Sequence, residues 1–480
     1  MNAVVPWPTP AEAEARVLGI QTKLHQWATD DSSRRFGDLA NLVYDPAFLL
    51  VAWRRVRDNR GARSAGVDGR TARTVAARGE ESFLTELRAD LKARTFQPLP
   101  VRERLIPKSG STKLRRLGIA TVRDRVVQAA LKLVLEPIFE ADFQPCSYGF
   151  RPGRRAHDAI AEIQYYCTRS YEWVLEADIE ACFDEINHVA LMDRVRARIG
   201  DRRIVGLVKA FLKADVLSEE GIRRNMDTGT PQGGILSPLL ANIALSVLDD
   251  HIANTWATVS PTYIDRARRR RQGLSNHRLV RYADDFVVLV SGTQAHAEAL
   301  KDEVAEVLRP MGLRLSVPKT RICHIDKGFV FLGHCIRRDR KRGSEKQYVY
   351  TYPSRAALLA VKSKVRALSR EARNQTLTSL LDRLNPVLRG WTAYFRYAVP
   401  KATFNYLRAF TWRRVVCWLR HKHLRTTWKQ LRRRYLPGWW PTEGETVMFN
   451  PAGVTPKRYR YRGAQIPSPW TGLTPGAEVA

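Results

Sequence analysis

The sequence predicts an α+β protein: an antiparallel sheet with helices behind it, followed by a mainly helical region. Three patterns carry this expectation. The stretch 99–118 alternates in β-like fashion (Val101, Leu105, Pro107, then Leu114 and Leu117) around a turn at 108–112, which reads as a hairpin. Short apolar runs at 172–179, 279–290 and 329–336 have the length of buried strands. Helical spacing marks Val126, Val127, Ala130, Leu131, Val134 and Leu135, and it dominates beyond Pro353.

In chain order, residues 1–36 are polar with scattered prolines and read as a loosely packed lead-in. A helical pattern begins near Leu39 and Leu42 and runs through Phe48, Val51 and Trp53, with Arg54, Arg55 and Arg57 on the other side. Segment 59–71 (NRGARSAGVDGRT) is a loop whose small residues let backbone and cations approach a ligand. The hairpin at 99–118 carries Arg102, Arg104, Lys108, Lys113, Arg115 and Arg116, a row able to hold phosphates. A basic insertion at 254–277 contains Arg266, Arg268, Arg269, Arg270 and Arg271, expected to touch a nucleic-acid backbone. Leu380, Leu381, Leu384, Leu388 and Trp391 form one helical stripe, and Pro386 is expected to start or kink a helix there. The tail 441–480 is rich in Pro, Gly and Thr, with a basic knot at 457–462, and reads as irregular.

With 480 residues and 44% hydrophobic content, the chain can build two to four packed domains, which excludes a disordered tail or a disulfide-stapled miniprotein. Lys and Arg number 80 against 48 Asp and Glu, and a net charge of +32 calls for a polyanionic partner, nucleic acid first. Six scattered cysteines without paired spacing fit a reducing, cytoplasmic setting and no familiar zinc site. No apolar signal core or spanning segment is visible, so no membrane partner is expected. Basic residues interleave with tryptophans from 391 to 440, a pattern that can pair phosphates and stack bases.

Two adjacent acids, Asp284 and Asp285, sit between apolar flanks, as at the turn of a hairpin. Upstream, Asp178 ends another apolar strand. Acids in such surroundings are costly unless a cation neutralises them, and three carboxylates from neighbouring strands make an oxygen site for two Mg²⁺ ions. Two-metal sites suit phosphoryl transfer by polymerases and also by nucleases.

At 281–286 (RYADDF) the sequence resembles the catalytic hairpin of reverse transcriptases, and the whole resembles a bacterial group II intron reverse transcriptase and maturase. The runs 65–69 (AGVDG), 117–128 (LGIATVRDRVVQ) and 147–154 (SYGFRPGR) resemble its fingers motifs and the stretch after them. The run 177–184 (ADIEACFD) is similar to its first metal motif, and 230–243 (TPQGGILSPLLANI) to its template-and-nucleotide loop. Residues 331–333 (FLG) resemble the primer grip, and 384–391 (LNPVLRGW) with Tyr394 and Phe395 the thumb, or maturase, domain.

The resemblance implies a right-hand polymerase divided into an N-terminal extension and fingers (37–165), a palm (166–350), a helical thumb (351–440) and the tail. It implies that Asp178, Asp284, Asp285 and the Ile179 backbone bind two Mg²⁺, and that Lys319 protonates the leaving pyrophosphate. Lys108 and Arg115 would clasp the triphosphate, with Lys113 or Arg116 as alternatives to Arg115. Phe183 would exclude a 2′-hydroxyl, and Gln232 with Gly233 would pass under the nascent base pair. Arg389, Trp391, Arg413, Arg414, Arg432, Arg433 and Arg434 would join the insertion in contacting RNA or DNA. The implied partners are intron RNA in a ribonucleoprotein, target DNA with a primer 3′ end, and dNTPs; a homodimer is left open. The setting would be the bacterial cytoplasm, at the nucleoid when bound to DNA. The stretch after Pro441 has no cysteine, so no HNH-type endonuclease is expected there and priming would come from a nascent strand or another nick. The contrasting readings are a non-enzymatic splicing factor and a domesticated reverse transcriptase serving diversity generation or defence.

Overall fold

A computed structural model describes residues 7–107, 114–341, 343–371 and 374–471. The chain divides into two compact units: 1–155 with 175–322 and 463–480, and 156–174 with 323–462. The residues around 329–340, expected to close the palm, thus belong to the same unit as the helices after 353.

In the first unit, the strands Asn276–Tyr282 and Asp285–Ser291 form an antiparallel hairpin, with Tyr282 opposite Asp285. The main sheet runs from this hairpin to Trp173–Asp178 and then Arg321–His324. Leu279, Val280, Phe286, Val287, Val288 and Leu289 are almost completely buried, so both faces of the hairpin are covered, as the unbroken apolar run requires. The expected basic hairpin is present as Val101–Pro107 paired with Leu114–Ile119, although Lys108 and Lys113 lie outside the described residues.

Of the segment 1–36, expected from its polarity to be a loose lead-in, the described residues 7–36 are largely helical. Pro10–Asp30 is a 21-residue helix, capped by Thr9 and Glu12 in a reciprocal box, that packs on the helices Pro46–Arg57 and Val122–Asp142. Its buried face is Ala13, Val17, Gln21, Leu24, His25 and Ala28, mixed enough in polarity to hide the stripe. The tail returns to this layer: Trp470 lies 5.5 Å from the His25 ring, and its indole N–H donates to Gln21 at 3.4 Å.

In the second unit, the strands Phe329–Phe331, His334–Arg340 and Gln347–Pro353 make a three-stranded sheet. The helices Arg355–Glu371, Leu377–Phe395, Lys401–Lys422 and Trp428–Tyr435 enclose a core of Val365, Leu380, Leu381, Leu384, Leu388, Leu407 and Val415. Pro386 does not start a helix. It lies inside Leu377–Phe395, where the buried leucine stripe on either side outweighs the missing N–H. Asn385 beside it accepts from Phe449 N–H at 2.7 Å and donates to Val447 O at 2.9 Å, fixing the chain just past 441. The basic knot is likewise docked: Arg462 makes two bonds of 2.8 and 2.7 Å to the buried Asp158 carboxylate, and Tyr459 adds a third at 3.0 Å. No helix among the described residues is long and apolar enough to cross a membrane.

Candidate active site

The hairpin turn that presents Asp284 is tight, with Ala283 at φ +58°, a conformation a non-glycine residue adopts only when its surroundings impose it. Arg281 supplies the constraint. Its side chain is completely buried, donates to Asp249 Oδ1 at 2.7 Å, Asn242 Oδ1 at 2.9 Å and Ser147 Oγ at 2.7 Å, and reaches the Ala283 carbonyl at 2.9 Å. On the other side Gly149 leaves no room: a Cβ there would stand 2.3 Å from Ala283 N. Asn242 completes the frame by donating to the Gly149 carbonyl at 2.9 Å.

Asp178 closes the neighbouring strand. Ser316 N–H donates to the Asp178 carbonyl (2.8 Å) and Glu180 N–H to the Arg314 carbonyl (2.9 Å), so the Ile179 carbonyl takes no part in this bridge. The segment opposite carries two cations in register with two acids: Lys319 Nζ lies 2.5 Å from Asp178 Oδ2, and Arg321 makes bonds of 2.8 and 3.1 Å to Glu176. Glu176 and Asp178 are two residues apart and share a strand face. Neither the Glu176–Arg321 pair nor the Arg281–Asp249–Asn242 frame carries a signal in the sequence, because the partners lie 145, 32 and 39 residues apart.

Burial raises the Asp284 carboxyl above its ordinary range, with the Asp178 charge adding to the effect. Asp285 is pushed up to about 6, first by the surrounding protein and then by Asp284 and Asp178, although its opening to the cleft lets solvent moderate the shift. Among the described residues no three His, Cys, Asp or Glu side chains close around a common point, and Asp178 is turned to Lys319. The donor set is nevertheless one that fits a hard divalent cation: carboxylate oxygens whose mutual repulsion lacks a full counter-charge, beside a carbonyl outside the ladder. Asp178, Asp284 and Asp285, with the Ile179 carbonyl, are the groups that could hold such a divalent cation.

A cavity of about 420 Å³ opens nearby, lined among others by Arg115, Gly118, Asp184, Arg224 and Gln232. The loop at 230–234 is fastened to the basic hairpin by Gly118 N–H donating to the Gln232 carbonyl at 2.7 Å, and Gly233 takes φ +105° there. Arg115 and Arg116 both line this cavity; Arg116 is paired there with Glu103 at 3.6 Å, whereas Arg115 has no ion-pair partner among the described residues and its charge acts on Asp284. Phe183 is half-buried on the short turn Cys182–Glu185, edge-on to Phe150 at 6.5 Å.

The expected nucleic-acid contacts sort into two groups. Arg268, Arg389, Arg413, Arg432, Arg433 and Arg434 are exposed, and Arg270 is half-exposed. Others are engaged within the chain. Arg266 caps Ser260 O (3.0 Å) and lies over Trp256, Arg269 bonds Ser275 O (2.9 Å), and Arg414 bonds Ser369 Oγ (2.9 Å). Trp391 packs on Phe395 at 4.6 Å and Phe404 at 5.9 Å and is partly buried against the helical core.

Residues 106–336 match the family model for reverse transcriptase (RNA-dependent DNA polymerase), and residues 358–436 the group II intron, maturase-specific domain. Protein YkfC of Escherichia coli is 39% identical over 356 residues, covering 70% of this chain and 93% of that protein. The group II intron-encoded protein LtrA of Lactococcus lactis is 30% identical over 364 residues, covering 67% of this chain and 60% of LtrA. The nuclear intron maturase 1 of Arabidopsis thaliana mitochondria is 24% identical, over 45% of this chain and 40% of that protein. With its polymerase hairpin and its helical unit each matched in this way, the chain belongs to the group II intron reverse transcriptase and maturase family.

Proposed function

We propose that this chain binds its own intron RNA, assists splicing, and copies the intron into DNA from a primer 3′ end at a DNA target. The observation that supports the polymerase reading is that Asp178 lies near enough to Asp284 and Asp285 for its charge to raise both carboxyls, with Lys319 against Asp178 and the Arg115–Gln232 cavity in the same unit. Those acids and the Ile179 carbonyl would hold two Mg²⁺ ions, which when bound would activate the primer hydroxyl and neutralise the triphosphate. Arg115, and Lys108 beyond the described residues, clasp the triphosphate as charge-assisted donors. Gln232 and Gly233 line the path of the template base pair. Phe183 occupies the space a 2′-hydroxyl would need, so dNTPs are preferred over rNTPs. Lys319, already at the acids, hands a proton to the pyrophosphate as it leaves.

Maturase action needs no acid cluster. It draws on the exposed Arg389, Arg413, Arg432, Arg433 and Arg434 and on Arg268 and Arg270 of the helix Tyr263–Arg271, which pair phosphates of structured RNA.

Primer extension on an RNA template, with Mg²⁺ and either dNTPs or rNTPs, tests this reading. Wild type should make DNA, and Asp284→Ala with Asp285→Ala should make none while keeping its affinity for intron RNA. Extension by the double variant would sink the metal assignment. RNA binding by a wild type that never extends a primer would favour a splicing cofactor. Phe183→Ala should gain use of rNTPs.

A further inference from the structure

An open cavity of about 450 Å³ lies in the maturase-specific region, between the last turns of the helix Lys401–Lys422 and the start of Trp428–Tyr435. Cys417, Arg420 and His421 reach it from one face of the first helix, being three and four residues apart. Leu424 comes from the connection, and Trp428 and Leu431 from the second helix. Leu431 is 2% exposed and forms the floor, whereas Leu424 at 81% and Trp428 at 41% leave apolar surface uncovered beside it. Trp428 is held in place because Thr427 and Gln430 cap its helix reciprocally, at 3.1 and 3.4 Å. His423 lies flat on Tyr435, with centroids 5.2 Å apart, and its Nε2 is buried without a hydrogen-bond partner among the described residues.

These features ask for a ligand of mixed character. An exposed indole next to Leu424 offers a flat apolar face, the His423 ring and Thr426 line the wall beside it as polar neighbours, and Arg420 and His421 add cationic donors at the rim. An unpaired nucleotide has all three parts: a base to stack, base-edge or 2′-hydroxyl groups to bond, and flanking phosphates. A base inside a duplex cannot offer its face, because its neighbours already cover it. We propose that this cavity holds one unpaired nucleotide of single-stranded RNA. The inference rests on the maturase reading and gives it a specific contact.

Cys417 provides the test, because it is the one exposed cysteine of the six. Alkylation of Cys417 in the full chain, by a maleimide, would be followed alone, with oligouridylate, and with an RNA duplex of equal length, alongside filter binding of each RNA. Oligouridylate should slow the labelling several-fold and the duplex should leave it unchanged. Trp428→Ala should abolish the protection, Trp428→Phe should restore it, and Arg420→Ala should weaken it, all with little change in overall affinity for intron RNA. Oligouridylate that binds without protecting Cys417, or a duplex that protects equally, would overturn the proposal while leaving the maturase reading intact. Failure to bind any RNA would overturn both. Protection by an acidic peptide equal to that by oligouridylate would overturn the assignment to RNA.

Discussion

Arg281 and Asp249 form a two-bonded ion pair in which neither side chain touches solvent, directly behind the turn that carries Asp284. A buried pair of this kind adds little net stability when both partners are present, but removing one strands the other. Arg281→Met should therefore cost about 3–5 kcal/mol in denaturant unfolding, and a second change, Asp249→Leu, should recover part of it. Arg281→Lys keeps the charge but loses the forked geometry. It should fold and bind RNA, yet extend primers more slowly, because the Ala283 carbonyl loses its donor. Unchanged extension by Arg281→Lys would show that this bond does not hold the turn.

Gly149 makes a sharper test of the same frame. In Gly149→Ala the new methyl would meet the Tyr282 and Ala283 backbone at 2.3–2.8 Å, and backbone cannot swing aside as a side-chain tip can. A displacement of the turn approaching 1 Å should lower primer extension roughly a hundredfold. Binding of intron RNA should be unaffected, since no acid takes part in it. A gel-based extension assay beside a filter-binding measurement separates the two effects.

What the sequence made legible follows from how plainly each element announces its burial. The hairpin around Asp284 and Asp285 could be read because two acids break an unbroken apolar run, and the stripe from Leu380 to Leu388 because large aliphatic residues repeat at helical spacing. The helix Pro10–Asp30 could not, because Gln21 and His25 occupy its buried face and the helix is stabilised by contacts made far away in the chain. Arg281 carried no signal of its role either: an arginine beside a strand end reads as solvated until Asp249, 32 residues earlier, turns out to meet it. The surroundings of Trp391 are likewise not legible from its position in the sequence. Aromatics among cations suggest base stacking, but Phe395, one helical turn on, lies tilted against the Trp391 ring and leaves it partly buried on the helical core.

Asp124 sets a pH dependence that is independent of catalysis. It is 1% exposed, accepts from the Thr121 hydroxyl at 2.7 Å and the Leu99 N–H at 3.3 Å, and burial holds its carboxyl at about 6. The folded value lies above the ordinary value of 3.8, so the fold prefers the protonated acid. The associated stability is fully present below about pH 4 and is lost as pH rises through 6. The ceiling for this loss is about 3 kcal/mol, from roughly two pH units at 1.36 kcal/mol each. Asp124→Asn removes the titration. Its melting temperature relative to wild type should rise between pH 4.5 and 7.5, and a constant difference across that range would show that Asp124 does not titrate there.

Lys319 and Asp178 bear on how the metal site is assembled. At 2.5 Å, the ammonium of Lys319 neutralises a carboxylate assigned to Mg²⁺, so metal binding must displace or share that contact. The side chain of Lys319 is 64% exposed, which keeps the pair weak, on the order of 1 kcal/mol or less. Lys319→Met should accordingly bind Mg²⁺ up to about fivefold more tightly than wild type in calorimetric titration of the nucleotide-free protein. The same variant should extend primers more slowly, because the proton donor for pyrophosphate is gone. Tighter metal binding with slower chemistry separates the two roles of one side chain, while weaker metal binding in Lys319→Met would mean that Lys319 supports the acid cluster and does not compete for it.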